Sequence, residues 1–203
     1  QEFGHILIPA ETGELASGLK GEGRMAEPAH IVAQLNSYFL GSQPLSGKKI
    51  LITAGPTHEP IDPVRFLGNR STGTMGYQLA EQAAVMGAQV YLVSGPTHLK
   101  PLHDNISLYR VTTANEMYDR AQSLFGKVDI VIAAAAVADY RPKNIEPHKI
   151  KKTEGEMRLT LVRNPDILGS LGNNKKHQFM VGFALETQDG MDRQSRGMGG
   201  PCH

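Results

Sequence analysis

The chain has 203 residues with 21 basic and 20 acidic side chains, so its formal net charge of +1 at pH 7 favours neither nucleic acid nor a membrane surface as a partner. Hydrophobic residues make up 40% of the chain, which is typical of a soluble globular protein, and the longest apolar stretch, residues 128–138, is too short to span a bilayer. The single cysteine, Cys202, excludes an internal disulfide framework and favours a reducing, cytoplasmic environment.

Residues 29–40 are predicted to form a helix, and residues 41–47, GSQPLSG, a linker. From residue 48 onward, apolar runs alternate with helical patterns. The predicted strands are residues 48–55, 88–95, 106–113 and a strand from residue 128, and the predicted helices are residues 75–86 and 114–126. Runs such as LITA and IVIAAA are apolar on consecutive residues, as strands buried on both faces should be. We therefore predict an α/β fold of three layers, with a Rossmann-like, doubly wound, mainly parallel sheet.

The pattern changes after Tyr140. Residues 141–156 are polar, contain two prolines and are predicted to form a mobile loop. Beyond this loop we predict a strand at residues 157–164, a short helix that begins after Asn164, and a buried strand at residues 177–187.

The longest loop at a strand carboxyl end, where ligands of open α/β sheets bind, reads GPTHEPIDPVRFLGNRSTGTMG, from Gly55 to Gly76. In NRSTGTMG, glycines let the backbone approach a phosphate, hydroxyls donate to its oxygens, and the start of the next helix favours negative charge. The alternative is a turn in which Ser71 or Thr72 caps the helix. The loop matches neither GxGxxG nor GxxxxGK[ST], so its spacing leaves both interpretations open.

The same loop also carries charged and titratable side chains. Arg65 could bind a carboxylate or phosphate, although a local ion pair with Asp62 is the commoner arrangement. His58 and Glu59 are residue types that bind metals, but no partner at suitable spacing supports a metal site. A solvated turn is the favoured interpretation of these two residues.

Two further loops follow strands. In AAAAVADY, small residues would let a ring or ribose approach the backbone, and Asp139 could accept from a sugar hydroxyl or help to hold a metal ion. The alternative is a buried strand with Asp139 capping the next turn. In HKIKK, from His148 to Lys152, three lysines could close over a polyphosphate or be simply solvated. Because the three loops point to one cleft, we predict a site for a nucleotide with several phosphates.

Several ordered segments together resemble the phosphopantothenoylcysteine synthetase domain. They are ILITAGPTHEPIDPVRFLGNRSTGTMG, AQVYLVSGPT, AAAAVADYRP, KIKK, VRNPDIL and VGFALET, and the resemblance extends from residue 46 to residue 189. In bacteria this domain is usually the carboxyl-terminal half of a bifunctional coenzyme A biosynthesis protein. ELASGLKGEGRMAEPAHIV resembles the end of the companion flavin-dependent decarboxylase, so residues 1–40 are interpreted as the tail of that domain and residues 48–189 as a truncated synthetase core.

The resemblance implies a two-step phosphopantothenate–cysteine ligase of coenzyme A biosynthesis. CTP would activate the carboxylate of 4′-phosphopantothenate as an acyl-cytidylate, and the amine of L-cysteine would then displace CMP. Mg²⁺ is expected to accompany CTP, with its protein ligands unknown. The long loop would have to contact both the pantothenate substrate and the nucleotide phosphates.

The resemblance also assigns roles to individual residues. Asn69 corresponds to an asparagine that handles the acyl-cytidylate, and Lys149 to a lysine over the triphosphate; Arg65 and Asn69 are the expected substrate contacts. The expected nucleotide contacts are Gly55, Ser71, Gly73 and Gly76 at the phosphates, Ala134, Ala135 and Asp139 at the cytidine, and Pro165, Asp166, Ile167, Leu168 and Phe183 at the wall beside the base.

This chain departs from the family pattern in two places. FMN is implied only for the parent decarboxylase domain, and Ser17 stands where many relatives have cysteine, so we expect neither flavin binding nor decarboxylation from this chain alone. Residues 190–203 diverge from the family and are predicted to be disordered. Whether this chain forms the homodimer that is typical of intact members therefore stays open. Three alternatives remain. They are a CTP-binding but catalytically incomplete fragment, a flavin-binding decarboxylase, which the amino-terminal tail suggests, and an NAD(P)-dependent oxidoreductase, which the absence of GxGxxG disfavours.

Overall fold

The computed structural model describes residues 7–14, 20–40, 43–152 and 155–183, and the chain divides into two compact units, residues 1–46 and 47–203. In the first unit, strands β1 (Glu11–Glu14) and β2 (Lys20–Arg24) pair antiparallel, and helix α1 spans Pro28–Leu40. The predicted helix is therefore confirmed to within one residue. The hairpin was not predicted, because its glycine-rich strands lack an apolar alternation.

The second unit contains nine strands and three helices within its described residues. They are β3 (Lys49–Ala54), β4 (His58–Pro60), β5 (Phe66–Gly68), α2 (Thr74–Val85), β6 (Gln89–Ser94), β7 (Ile106–Arg110), α3 (Ala114–Phe125), β8 (Ile130–Ala133), β9 (Tyr140–Pro142), β10 (Leu161–Arg163), α4 (Ile167–Asn173) and β11 (Phe179–Gly182).

Five of these strands form one sheet in the order β11-β8-β3-β6-β7, and every neighbouring pair is parallel. The chain builds the sheet outward from β3, first through β6 and β7 and then, on the other side, through β8 and β11. The connections from β3 and from β8 therefore leave in opposite directions. A crevice opens at such a reversal, outside the carboxyl ends of the two strands.

Helices cover both faces of the sheet, which confirms the predicted three-layer α/β fold. On one face, Ala54 packs under α2, where a Cβ on Gly76 would come within 2.5 Å of the Ala54 Cβ. On the other face, Leu51 packs with Met117 of α3 and Leu171 of α4. Ile50, Leu51 and Ile52 are each at most 1% exposed, because successive side chains of β3 enter opposite apolar layers.

The later predicted strands prove shorter than expected. The strand from residue 128 ends at Ala133, and the strand at residues 157–164 is limited to Leu161–Arg163. Of the strand at residues 177–187, Phe179–Gly182 is observed and residues 184–187 lie outside the described residues. The predicted loop at residues 141–156 begins inside β9, which pairs antiparallel with β10, so this loop is the connection of a hairpin. None of the helices in the described ranges is long and apolar enough to cross a membrane.

Candidate functional site

The loops that follow β3 and β8 are joined by main-chain hydrogen bonds at the sheet reversal. Ala136 N donates to the Gly55 oxygen at 2.9 Å, and Thr57 N donates to the Ala136 oxygen at 3.3 Å. Thr57 Oγ1, which is fully buried, accepts from Ala138 N at 3.0 Å. The parallel pairing of β3 and β8 thus continues past the strand ends and makes the two loops one rigid floor.

Asn69 ties its own segment to this floor. Its side-chain Nδ2 donates to the Val137 oxygen at 3.0 Å and to the Ala136 oxygen at 3.4 Å. The end of the long loop, which was predicted to bind phosphate, is therefore fastened to the loop that was predicted to bind the nucleoside. These hydrogen bonds hold the two loops together, as the sequence predicted.

Helix α2 begins next to this floor after Gly73, whose φ of 79° is left-handed and which has no side chain to cap the helix. Thr72 Oγ1 accepts from Thr74 N, in the first residue of α2, at 3.4 Å, and Ser71 Oγ accepts from Gly73 N at 3.3 Å. The alternative with Thr72 as a cap is therefore confirmed for this one N–H. No side chain in the described part of the chain accepts from the N–H groups of Met75 and Gly76, so these two donors stay available to an anion.

Two glycines make this geometry possible. Gly55 and Gly73 both have positive φ, and a Cβ on Gly73 would lie 3.2 Å from the Gly55 Cα. The two backbones therefore touch at a place where side chains would separate them. Beside them, a cavity of about 460 Å³ is lined by Arg70, Ser71, Thr72, Gly73, Thr74, Met75, Gly76 and Ala134.

A second cleft, of about 560 Å³, opens on the other side of the loop after β8. It contains seven of the residues predicted to contact the nucleotide, namely Ala135, Asp139, Pro165, Asp166, Ile167, Leu168 and Phe183. Its wall is built by the start of α4, where the Asp166 carboxylate accepts from Gly169 N at 2.8 Å and caps the helix. Phe183 is 52% exposed, so one face of its ring is open to the cleft.

Asp139 is exposed, and its carboxylate has no hydrogen-bond or ion-pair partner in the described part of the chain. The alternative in which this carboxylate caps the next turn is wrong, because the main-chain oxygen of Asp139 accepts from Asn164 N at 2.8 Å instead. Asn164 also donates Nδ2 to the Ala138 oxygen at 2.7 Å. Sequence reasoning placed Asn164 at a helix start but missed that it anchors this loop.

A network around Asp62 holds the lysine-bearing loop. Arg65 Nη1 lies 3.0 Å from Asp62 Oδ2, which confirms the predicted local ion pair. Arg65 Nη2 donates to the Ile150 oxygen at 3.3 Å. Burial alone would raise the pKa of Asp62, but N–H donors from Val64, Ile150 and Arg65, together with the Arg65 guanidinium, hold this pKa below its ordinary value. Two of Arg65's N–H groups are thus engaged within the chain, and its side chain is 39% exposed.

His58 and Glu59 do not form the solvated turn that was expected. Glu59 is 1% exposed, and its Oε1 accepts from Ala114 N at the start of α3 at 2.9 Å. The His58 ring stacks on Phe66 at 3.7 Å between centroids, and burial lowers the pKa of His58 despite the opposing charge of Glu59. In the described ranges no three His, Cys, Asp or Glu side chains lie close enough to hold a metal ion.

Lys149 is exposed and lines a third cleft, of about 480 Å³, with residues of the β9–β10 connection and Ile61. It is absent from the linings of the other two cavities. The structure therefore brings Gly55, Asn69, the glycine-rich loop and the α4 wall to one edge of the sheet, and it places Lys149 on a neighbouring arm.

Comparison with known proteins matches this region to one family. The model of the DNA/pantothenate metabolism flavoprotein C-terminal domain matches residues 45–198. A crystal structure of the C-terminal domain of the coenzyme A biosynthesis bifunctional protein CoaBC superposes with a TM-score of 0.67 at 45% identity, covering 76% of this chain and 73% of that one.

Two curated relatives extend the match. The CoaBC protein of Bacillus subtilis (strain 168) is 48% identical over 188 residues, which are 92% of this chain and 46% of the relative. A cysteine/cysteine sulfinic acid decarboxylase from an unknown prokaryotic organism is 50% identical over 190 residues, which are 91% of this chain and 53% of the relative. The chain therefore spans about half the length of the curated relatives it matches. It belongs to the DNA/pantothenate metabolism flavoprotein C-terminal domain family, which confirms the resemblance to the phosphopantothenoylcysteine synthetase domain.

Proposed function

We propose that this chain carries out the CTP-dependent ligation of 4′-phosphopantothenate to L-cysteine through an acyl-cytidylate. One observation carries the proposal. Consecutive residues of the loop after β8, Ala134 and Ala135, line two different cavities, one at the start of α2 and one at the start of α4. A nucleoside triphosphate has the same two parts, a polyanion and a flat base on a sugar.

The cavity beside Gly73 suits the phosphates. Free N–H groups at a helix start bind anions, and the glycines let phosphate oxygens reach the main chain. The hydroxyls of Ser71 and Thr72 lie at the same cavity and supply further donors. No carboxylate side chain lines it, so nothing there repels a polyphosphate.

The cleft beside Asp139 suits the cytidine. The unpartnered carboxylate would accept from ribose hydroxyls, and small residues such as Ala135 would let the sugar approach the backbone. The exposed Phe183 ring and the apolar side chains of Ile167 and Leu168 offer a wall to a flat base.

The chemistry needs placement more than it needs a protein nucleophile. A carboxylate oxygen of phosphopantothenate would attack the α-phosphorus of CTP, and the bond to pyrophosphate would break with its electron pair leaving on pyrophosphate. The cysteine amine would then attack the acyl carbon, lose a proton and expel CMP. Asn69 donates to Val137, which lines the cleft at α4, and precedes Arg70, which lines the cavity at α2, so the acyl-cytidylate would form close to it. Fixed dipoles there would contribute without reorganising.

Magnesium fits this site poorly as a protein-held ion. The described residues provide no group of three metal-binding side chains, and at the nucleoside cleft the free carboxylate is that of Asp139. An ion that accompanies CTP would therefore take most of its oxygen ligands from the phosphates and water, as Mg²⁺ commonly does.

Pyrophosphate release tests the proposal. The chain is incubated with CTP, Mg²⁺ and 4′-phosphopantothenate, first without and then with L-cysteine. We expect release that depends on phosphopantothenate, and an amide product that appears only with cysteine. CTP binding without release would identify a nucleotide-binding fragment that is catalytically incomplete, and the ligase proposal would fail for this chain.

A further inference from the structure

Both peptide groups of Ile150 are held by one ion pair, in which the carboxylate is buried and the guanidinium is partly exposed. The N–H of Ile150 donates to Asp62 Oδ2 at 3.2 Å, and the Ile150 oxygen accepts from Arg65 Nη2 at 3.3 Å. These contacts bridge 88 and 85 positions of the chain. The Asp62 side chain is 0% exposed, and Arg65 lies 3.0 Å from it. Charged hydrogen bonds in such surroundings are stronger than those on an open surface.

The pinned N–H belongs to the peptide bond that joins Lys149 to Ile150. Lys149 is exposed, and within the described ranges no acidic group pairs with it. The position of the backbone therefore limits where the Lys149 ammonium group can reach. A further hydrogen bond, from Glu146 N to the Ile61 oxygen at 2.9 Å, joins the same two loops three residues before Lys149.

We propose that Asp62 is a positioning residue, which fixes the loop of Lys149 relative to the long loop that bears Asn69. Its carboxylate touches neither cavity, so it acts through Ile150 and Arg65. The inference rests on the proposed ligase function and on the role that the family resemblance implies for Lys149, that of a lysine over the triphosphate. Without this anchor, the lysine would have to be ordered anew in each catalytic cycle.

Asp62→Asn isolates this role from the folding of the turn. Asp62 Oδ1 accepts from Val64 N and Arg65 N, both at 2.8 Å, and an asparagine oxygen can accept both. The asparagine NH₂ would then replace Oδ2, where it meets two donors, Ile150 N and Arg65 Nη1. If this variant does not fold, Ile150→Pro replaces it, because it removes the donated N–H and leaves the turn of Asp62 and Arg65 intact. Trypsin does not cleave before proline, so for that variant the cleavage test described below is read after Lys151 in both proteins.

A double-mutant cycle with Lys149→Gln separates positioning from general stability. We expect Asp62→Asn to lower kcat about tenfold in the wild-type background and less than about twofold in the Lys149→Gln background. Lys127→Gln, a charge-matched change on an exposed residue after α3, should leave the tenfold effect intact. An undiminished loss in the Lys149→Gln background would overturn the proposal.

Trypsin cleavage after Lys149, followed by mass spectrometry of the native protein, tests the anchor without any turnover. We expect Asp62→Asn to be cleaved there several-fold faster than the wild type, since backbone release controls nicking. Equal cleavage rates would overturn the anchor. If the wild type ligates nothing while this difference persists, the proposed function fails and the anchor stands.

Discussion

Asn69 Nδ2 lies 3.0 Å from the main-chain oxygen of Val137, and this side-chain contact adds to the main-chain hydrogen bonds that join the two halves of the candidate site. The two residues are 68 positions apart, in the loops that follow the neighbouring strands β3 and β8. An amide donor is required there, because both nearby acceptors, Ala136 and Val137, are carbonyl oxygens. A substitution at position 69 that lacks a side-chain N–H therefore removes this hydrogen bond.

Asn69→Asp should impair turnover of the acyl-cytidylate while CTP binding is retained. The aspartate has the same size but no N–H, so it would face two carbonyl oxygens as an anion and move away from the floor. We expect a fall in kcat of about 10- to 100-fold with little change in the Kd for CTP. Rapid-quench measurement of pyrophosphate release and equilibrium binding of CTP check the two parts separately.

Asn174→Asp is the matched control for this prediction. Asn174 also donates Nδ2 to a main-chain oxygen, that of Ser170, at 3.1 Å, but it does so at the far end of α4. Its substitution should leave turnover unchanged. Wild-type turnover in the Asn69 variant would remove Asn69 from the mechanism.

Gly76→Ala should both destabilise the domain and weaken nucleotide binding. Its Cβ would meet Ala54 Cβ at 2.5 Å and Ala54 Cα at 3.1 Å, so α2 would have to move away from β3. We expect a loss of about 1–3 kcal/mol in the free energy of unfolding, as overpacking typically costs. Urea denaturation and CTP titration measure the two effects.

Gly172→Ala tests whether close approach, rather than glycine itself, matters at Gly76. Gly172 also lies inside a helix, but a Cβ there would meet nothing within 4 Å. Alanine should therefore leave stability unchanged or raise it by up to about 1 kcal/mol. Equal losses in the two variants would contradict the packing explanation of Gly76.

The features that could be predicted from the sequence are local ones. Apolar runs such as KILITA predicted β3, and the i,i+3 spacing of Asp62 and Arg65 predicted their ion pair. The left-handed backbone conformation of Gly73 at the start of α2 could not be predicted, because Gly73 adopts it in contact with Gly55, which is 18 positions away. The burial of Glu59 depends on a partner 55 positions further along the chain, and no periodicity encodes such a distance.

Glu59→Ala should destabilise the domain more than Glu116→Ala. Both carboxylates accept a main-chain N–H at the start of α3, Glu59 from Ala114 at 2.9 Å and Glu116 from Thr112 at 2.7 Å. Only Glu59 is buried, so its truncation leaves a cavity and an unpaired N–H. We expect losses of about 2–4 kcal/mol for Glu59→Ala and about 1 kcal/mol or less for Glu116→Ala in urea denaturation. Similar losses in both variants would show that burial adds nothing at position 59.

The contribution of Asp62 to stability should depend on pH with a defined sign. Its folded-state pKa lies below the ordinary value of 3.8, so folding favours the charged carboxylate. The stabilisation is therefore fully present above the unfolded pKa and is lost as the pH falls through the folded pKa. Asp62→Asn does not titrate at this position, so its stability deficit relative to the wild type should be large at pH 7 and shrink towards about pH 3. Urea denaturation of both proteins across this range measures the difference in their free energies of unfolding. The titration of all other carboxylates is common to both proteins and cancels in this difference. A deficit that stays constant or grows on acidification would mean that the charge of Asp62 does not support the fold.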